Sequence, residues 1–192
     1  MKGLFSALTV LASLAASTIA QDQVIMPAVP EPLIHTEPTL FDLLTVESRA
    51  SIFFSYARET KASRLLVDQN ANISLLVPTN KAVMALARKP HQGPISIEDD
   101  IEISEEVFEG RSKENVERWV SLHIIPDSPI SLAAHTFPTL AAGKTVTFTA
   151  IDGDVTAPEW TRVLLNGEVQ IVQMKKAANG VFYLIDGTVR DE

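Results

Sequence analysis

The sequence predicts an α+β fold, and three observations carry that prediction. Apolar residues recur at helical spacing through the first two thirds of the chain. In the last third the spacing changes to two. Helices gathered ahead of strands, rather than alternating with them, are the order of an α+β domain. The third observation is residues 73–87, ISLLVPTNKAVMALA, where the two patterns meet. Ile73 to Val77 is an apolar run, β-branched at both ends, as a buried strand reads. Pro78 stops the strand because proline cannot donate to a ladder. Thr79 then caps a helix with apolar positions at Ala82, Val83, Leu86 and Ala87.

In chain order, residues 1–20 read as an export signal. Lys2 supplies the positive start, Leu4 to Ala16 the apolar stretch, and Thr18 and Ala20 the small residues of a cleavage site before Gln21. The stretch is too short for a membrane span, and Arg190-Asp191-Glu192 offers no apolar tail for a lipid anchor. The mature chain is therefore expected in the secretory route, secreted or in a vacuole lumen, with no membrane span or lipid anchor. Residues 21–38 contain Pro27, Pro30, Pro32 and Pro38 without periodicity and read as an extended leader. One domain is expected over 39–189, with 190–192 as a tail.

Thr39 is placed to cap the first helix, with Asp42 in the capping-box position and Leu40, Leu43 and Leu44 on its apolar face. Residues 49–66 form a second helical pattern through Ile52, Phe53, Tyr56 and Ala57, then Leu65 and Leu66, with Ser63 capping a final turn. Beyond the central unit, Pro90, Gly93 and Pro94 break structure. Glu98, Asp99, Asp100, Glu102, Glu105 and Glu106 follow as an acidic cluster, read as a solvated face with a poorly packed helical piece. Residues 112–124 predict a helix capped by Ser112, with Val116, Trp119, Val120, His123 and Ile124 on one stripe and Pro126 at its end. Residues 130–137 fit a short helix or a turn.

From Pro138 onward the pattern is that of strands. Residues 145–149 alternate cleanly, and Asp152-Gly153-Asp154 reads as a turn. Val163 and Leu165 lead into Asn166-Gly167, and Val169 and Ile171 lead out, which is the signature of a hairpin. Asn179-Gly180 reads as another tight turn, followed by a strand over 181–185 and the closing pair Asp186-Gly187.

Composition narrows the chemistry. The chain of 192 residues is 46 % hydrophobic, enough for one sizeable core, and carries a formal charge of -8. That acidity argues against nucleic-acid binding, which needs a basic surface. The absence of cysteine removes disulfides, thiolate metal sites and cysteine nucleophiles. The four histidines, His35, His91, His123 and His135, lack the spacing of a zinc protease. His123 lies on an apolar stripe and reads as a core histidine bonded to a backbone carbonyl. Gly143-Lys144-Thr145 lacks the first glycine and following helix of a phosphate loop, and Asp152-Gly153-Asp154 lacks the later ligands of a calcium loop. No cofactor, metal or catalytic residue is expected. Asn72-Ile73-Ser74 is a glycosylation sequon in an exported chain, with Asn72 as acceptor.

These residues together resemble the fasciclin (FAS1) domain family. Residues 74–82, SLLVPTNKA, are similar to its first box of strand, Pro78-Thr79-Asn80 and helix. Residues 179–189, NGVFYLIDGTV, resemble its closing box, with Asn179-Gly180, an apolar strand and Asp186-Gly187. Between them, residues 122–126 resemble the family's tyrosine–histidine segment, with His123 matched and Leu122 where tyrosine is usual. Residues 164–167 match its penultimate hairpin.

The resemblance implies a FAS1-like β-sandwich or wedge flanked by helices. It also implies a structural role for Pro78, Thr79, Asn80, His123, Asn179, Gly180, Asp186 and Gly187. The function it implies is a non-catalytic secreted or vacuolar adhesion module, binding an unknown protein or glycan. An apolar small-molecule carrier is the alternative, and a hydrolase with dispersed catalytic residues a lesser one.

Overall fold

The computed structural model describes residues 37–94, 104–133 and 135–191. The first helix, α1 (Leu40–Val46), opens on the expected capping box. Thr39 Oγ1 accepts from the Asp42 N–H at 3.2 Å, and the Asp42 carboxylate accepts from the Thr39 N–H at 2.9 Å. A 3-10 turn at Ser48–Ala50 leads to α2 (Ser51–Ala57), and α3 (Ser63–Val67) follows. The pattern over 49–66 is therefore two helices. Thr60 Oγ1 donates to the Ala57 carbonyl and Ser63 Oγ to the Thr60 carbonyl, bonds that compete with a continuous helical ladder. Ser63 begins the separate last turn but does not cap it; Ala62 holds the cap position.

The central unit folds as its sequence indicates. Strand β1 (Ile73–Pro78) is buried at every position, and α4 (Asn80–Ala85) follows with Thr79 Oγ1 accepting from the Ala82 N–H. The helix is shorter than expected. Leu86 is already extended, and Lys89 Nζ donates to the carbonyls of Met84 and Leu86, which satisfies the helix end early. Ala87 is exposed outside the helix.

The long helix α5 (Glu105–Leu122) corrects the sequence reading at both ends. It begins one residue past Ser104, so Ser112 lies inside it and caps nothing. Glu105 and Glu106 occupy the first turn, where the helix dipole favours carboxylates. Its first two turns, which carry part of the acidic cluster, are exposed as a solvated face should be. At the other end His123 is the C-cap, and Ile124–Ile125 leave the helix as strand β2, so the helix stops before Pro126. Of the segment 130–137, expected as a short helix or a turn, Thr136 and Phe137 belong to strand β3 (Thr136–Pro138).

The remaining strands are β4 (Thr145–Ala150), β5 (Val163–Leu165), β6 (Val169–Ala177) and β7 (Gly180–Ile185). The β5–β6 hairpin turns through Asn166 and Gly167, both at positive φ, 50° and 78°. The turn near Asp152 is centred slightly later, where the Ala157 N–H donates to the Asp154 carbonyl and Asp154 accepts from Thr156.

Among the described residues the seven strands run in the order β2-β1-β7-β6-β5-β4-β3. β1 and β7 pair in parallel, from Ile73 opposite Gly180 to Pro78 opposite Ile185; the other pairings are antiparallel. Two cores flank this pair. Leu75, Val77, Phe182 and Leu184 face the helices, with Phe53, Leu66, Trp119 and Val120. Leu76, Val181, Tyr183 and Ile185 face the opposite way, with Val146, Phe148 and Leu165. This double burial is why both strands read as unbroken apolar runs.

Gly180 shows what the parallel pairing demands. The β6–β7 turn is centred on Ala178-Asn179, not on Asn179-Gly180, and Gly180 is the first residue of β7 at φ 146°. A Cβ there would lie 1.9 Å from the Ile73 carbonyl oxygen. Gly180→Val is therefore expected to separate the start of β7 from β1 and to lower the melting temperature sharply. A thermal melt indistinguishable from that of the parent would refute this register.

Candidate functional site

The polar residues of the two sequence boxes act as joints between elements. Asn80 Oδ1 accepts from the Ile52 N–H at 2.9 Å, and its Nδ2 donates to the Ser48 carbonyl and to Ser51 Oγ. The start of α4 thereby holds the start of α2. Asn179 is almost fully buried. Its Oδ1 accepts from the Leu40 N–H at 2.8 Å, and its Nδ2 faces the carbonyls of Leu65, Leu66 and Asp68 at 3.0–3.1 Å. One amide thus ties the β6–β7 turn to the N-terminus of α1 and the C-terminus of α3, satisfying helix ends that would otherwise be buried without partners. Asp186 Oδ1 accepts from the Gln170 N–H at 2.8 Å and keeps the end of β7 on β6.

His123 is fully buried against the rings of Phe53 and Trp119. Nε2 accepts from the Val189 N–H at 3.1 Å, so that nitrogen carries no proton. The proton is therefore on Nδ1, which donates to the Trp119 carbonyl at 2.8 Å. Burial pushes its pKa down to about 4, although the bond to Trp119 pulls the other way. The expected core histidine is thus found with both nitrogens engaged.

Directly outside His123 lies a cleft of about 390 Å³. Three motif-bearing segments converge on it. The chain leaving α4 supplies Leu86 and Lys89, α5 supplies Trp119 and Arg118, and the strap after β7 supplies Val189 and Arg190. The strap is held on two sides: Val189 by His123, and Asp191 by Arg118 and by Lys144 at 2.8 Å. The Arg118 guanidinium, helped by Lys144, holds the Asp191 carboxyl down at about 2. The lining is mainly apolar; its charged members among the described residues are Arg88, Lys89, Arg118, Arg190 and Asp191, with Arg118 paired to Asp191 and Arg190 to Glu168. Sequence reasoning missed this site. Residues 190–192 read as a tail, and no periodic signal brings Leu86 and Arg118 together.

A second groove adjoins it across the 3-10 turn Pro90–Gln92. It is lined by Tyr56, His91, Phe108 and Val116, with Asn115 Nδ2 donating to the His91 carbonyl at 3.2 Å. Gly143-Lys144-Thr145 enters β4, a strand, as the failed phosphate-loop reading anticipates. Asn72 is exposed, and its Nδ2 donates to the Ser128 carbonyl. The export signal, residues 21–36 of the leader with His35, and Glu98, Asp99, Asp100 and Glu102 lie outside the described residues. Among the described residues no helix is long and apolar enough to cross a membrane.

A family model described as the fasciclin domain matches residues 48–189. A FAS1 domain-containing protein of Emericella nidulans is 31 % identical over 161 residues, 81 % of this chain and 63 % of that protein. Another, from Aspergillus fumigatus, is 35 % identical over 99 residues, 48 % of this chain and 42 % of its own length. The chain thus spans less than two thirds of these relatives. A solved FAS1 domain pair from the insect cell adhesion molecule Fasciclin I superposes with a TM-score of 0.55 at 11 % identity, covering 81 % of this chain and 51 % of that one. At that identity the likeness is one of fold.

Two measurements check the joints. Asn179→Asp replaces a donor with a carboxylate facing three carbonyls, and is expected to lower unfolding stability by at least about 3 kcal/mol in a denaturant titration. A loss below 1 kcal/mol, on the order of an ordinary surface change, would contradict the joint. For His123 the unfolded chain takes up the proton below the ordinary value of 6.5, while the folded chain refuses it down to about 4. Stability should therefore be full above pH 6.5 and fall by about 1.4 kcal/mol per pH unit between those limits. A flat stability profile from pH 7 to 5 would show that His123 titrates normally.

Proposed function

Since the chain belongs to the fasciclin domain family, we propose that it is a non-catalytic interaction module that meets a protein or glycan partner through its surface. The observation that carries this reading is the employment of the motif side chains. Asn80, His123 and Asn179 have their hydrogen-bonding atoms bound to the chain's own backbone and neighbouring side chains, so the residues most suggestive of chemistry serve the fold. The surface that remains is one of loops, helix ends and clefts, where recognition is ordinarily built. Adhesion is the property named for the insect molecule of like fold. It is extended here as part of the proposal.

On this reading residues 1–20 direct export, and the module works outside the cell or in a vacuole lumen. Asn72 is then a glycan acceptor. The sequon hydroxyl of Ser74 is fully buried, and Asn72 Nδ2 is bound to the Ser128 carbonyl. Transfer must therefore precede the placing of β1 in the sheet, as it would on a chain still entering the secretory route.

Surfaces coated with the purified protein should retain host cells or cell-wall polysaccharide above an uncoated control. Equal retention at every coating density would remove the adhesive reading. Protein from the native host should lose mass on endoglycosidase treatment, and Asn72→Gln should abolish that loss. An unchanged mass for the parent would mean that Asn72 is unmodified.

A further inference from the structure

His123 holds the strap after β7 by a bond that one proton would reverse. Its Nε2 accepts from the Val189 N–H at 3.1 Å, while Nδ1 donates to the Trp119 carbonyl at 2.8 Å. A proton added to this ring goes to Nε2. Nδ1 still donates to Trp119, so the helix side of the ring keeps its bond. On the other side an N–H then faces an N–H, two donors with no acceptor between them. The lost bond falls on the strap alone.

The strap can move without opening the sheet. Residues 187–191 belong to no helix or strand. Asp186, just before them, is fixed both ways: its N–H donates to the Gln170 carbonyl, and its Oδ1 accepts from the Gln170 N–H. Movement therefore begins at Gly187. Beyond Val189 the strap is held by Arg190 on Glu168 at 3.2 Å and by Asp191 on Arg118 and Lys144. Part-exposed ion pairs of this kind hold weakly.

The surroundings of the ring leave His123 as the group that responds to mild acid. α2 presents Phe53 to it, α5 presents Trp119, and β1 meets only its carbonyl, through the Leu76 N–H. β1 has no titratable side chain. On the other elements the titratable groups nearest these contacts along the chain are Tyr56, Glu117, Arg118, Arg190 and Asp191, with Tyr183 on β7. Burial pushes both tyrosines up, so they stay neutral in acid. Arg118 holds the Asp191 carboxyl down at about 2, so it keeps its charge in mild acid. The His123 ring refuses a proton down to about 4 because it is buried. With the strap lifted it meets water and takes the proton near the ordinary value of 6.5. Opening thus binds a proton, and falling pH favours it.

We propose that His123 is an acid-released latch: a proton on Nε2 expels the Val189 N–H, and residues 187–191 swing out from Gly187, baring the Trp119 and Leu122 side of the cleft while β1 and β7 stay paired. This goes beyond the interaction-module reading, because it concerns when a wall of the cleft is in place rather than what the module meets.

The test measures amide hydrogen exchange of the full-length protein by NMR from pH 7 to 4, each rate divided by the intrinsic rate at that pH. Val189 should exchange about a hundredfold faster than the β1 amide of Leu76 and be indifferent to low urea, the mark of local rather than global opening. Its corrected rate should rise about tenfold per pH unit below 6.5. His123→Gln keeps an uncharged acceptor and should abolish that slope. Asp191→Asn loosens only the outer clamp and should speed Val189 by one factor at every pH, leaving the slope; it decides the matter if His123→Gln does not fold. The proposal is overturned if Val189 exchanges no faster than Leu76, or if its corrected rate is flat across the range. It is overturned as well if His123→Gln retains the slope or Asp191→Asn loses it.

Discussion

The parallel pairing of β1 with β7 is the constraint on which the rest of the structure depends. Two strands with most of the domain between them lie side by side, from Ile73 opposite Gly180 to Pro78 opposite Ile185. Closing so long a loop has an entropic cost that no local contact offsets. It is offset by burial on both faces, with Leu75, Val77, Phe182 and Leu184 on one side and Leu76, Val181, Tyr183 and Ile185 on the other. Each such side chain contributes about 1.5–3 kcal/mol when fully buried. The close approach at Gly180 follows directly, because the Ile73 carbonyl occupies the place of a side chain there.

Once that pair is set, the polar motif residues find their roles around it. Asn179 stands at the entry of β7, Asn80 just past the end of β1, and Asp186 at the exit of β7. Each reaches backbone groups of another element. The ends of α1, α2 and α3 are brought against these residues, Leu40 and Leu66 at Asn179 and Ile52 at Asn80. Side-chain amides satisfy those ends without adding charge to the interior. The chemistry of these residues is thereby committed to the fold, and recognition falls to the surrounding shell.

His123 links the interior to that shell. It receives the strap through Val189 and holds α5 through the Trp119 carbonyl. The strap continues to Asp191, which is clamped by Arg118 and Lys144. One wall of the cleft is therefore anchored to a buried, neutral imidazole, and the geometry of this surface cleft is tied to the core. A tail in the sequence is a wall in the structure.

The sequence by itself determined the class of fold, the capping box at Thr39, the strand and cap at Ile73–Thr79, the hairpin at Asn166-Gly167 and the core identity of His123. Each is a local matter, in which periodicity, φ requirements or a nearby backbone group decides the outcome. Where neighbours compete, local signals gave the wrong boundary. Ser112 offers a cap, but α5 continues through it to the carboxylates at its true start. Leu86 and Ala87 continue the helical spacing, yet Lys89 closes the helix before them. Only tertiary structure decided that Ala178-Asn179 would be the turn, that Asn179 would hold two helices, and that Leu86, Arg118 and Arg190 would share a cleft. Those facts rest on contacts between residues far apart in the chain, for which a linear pattern carries no period to read.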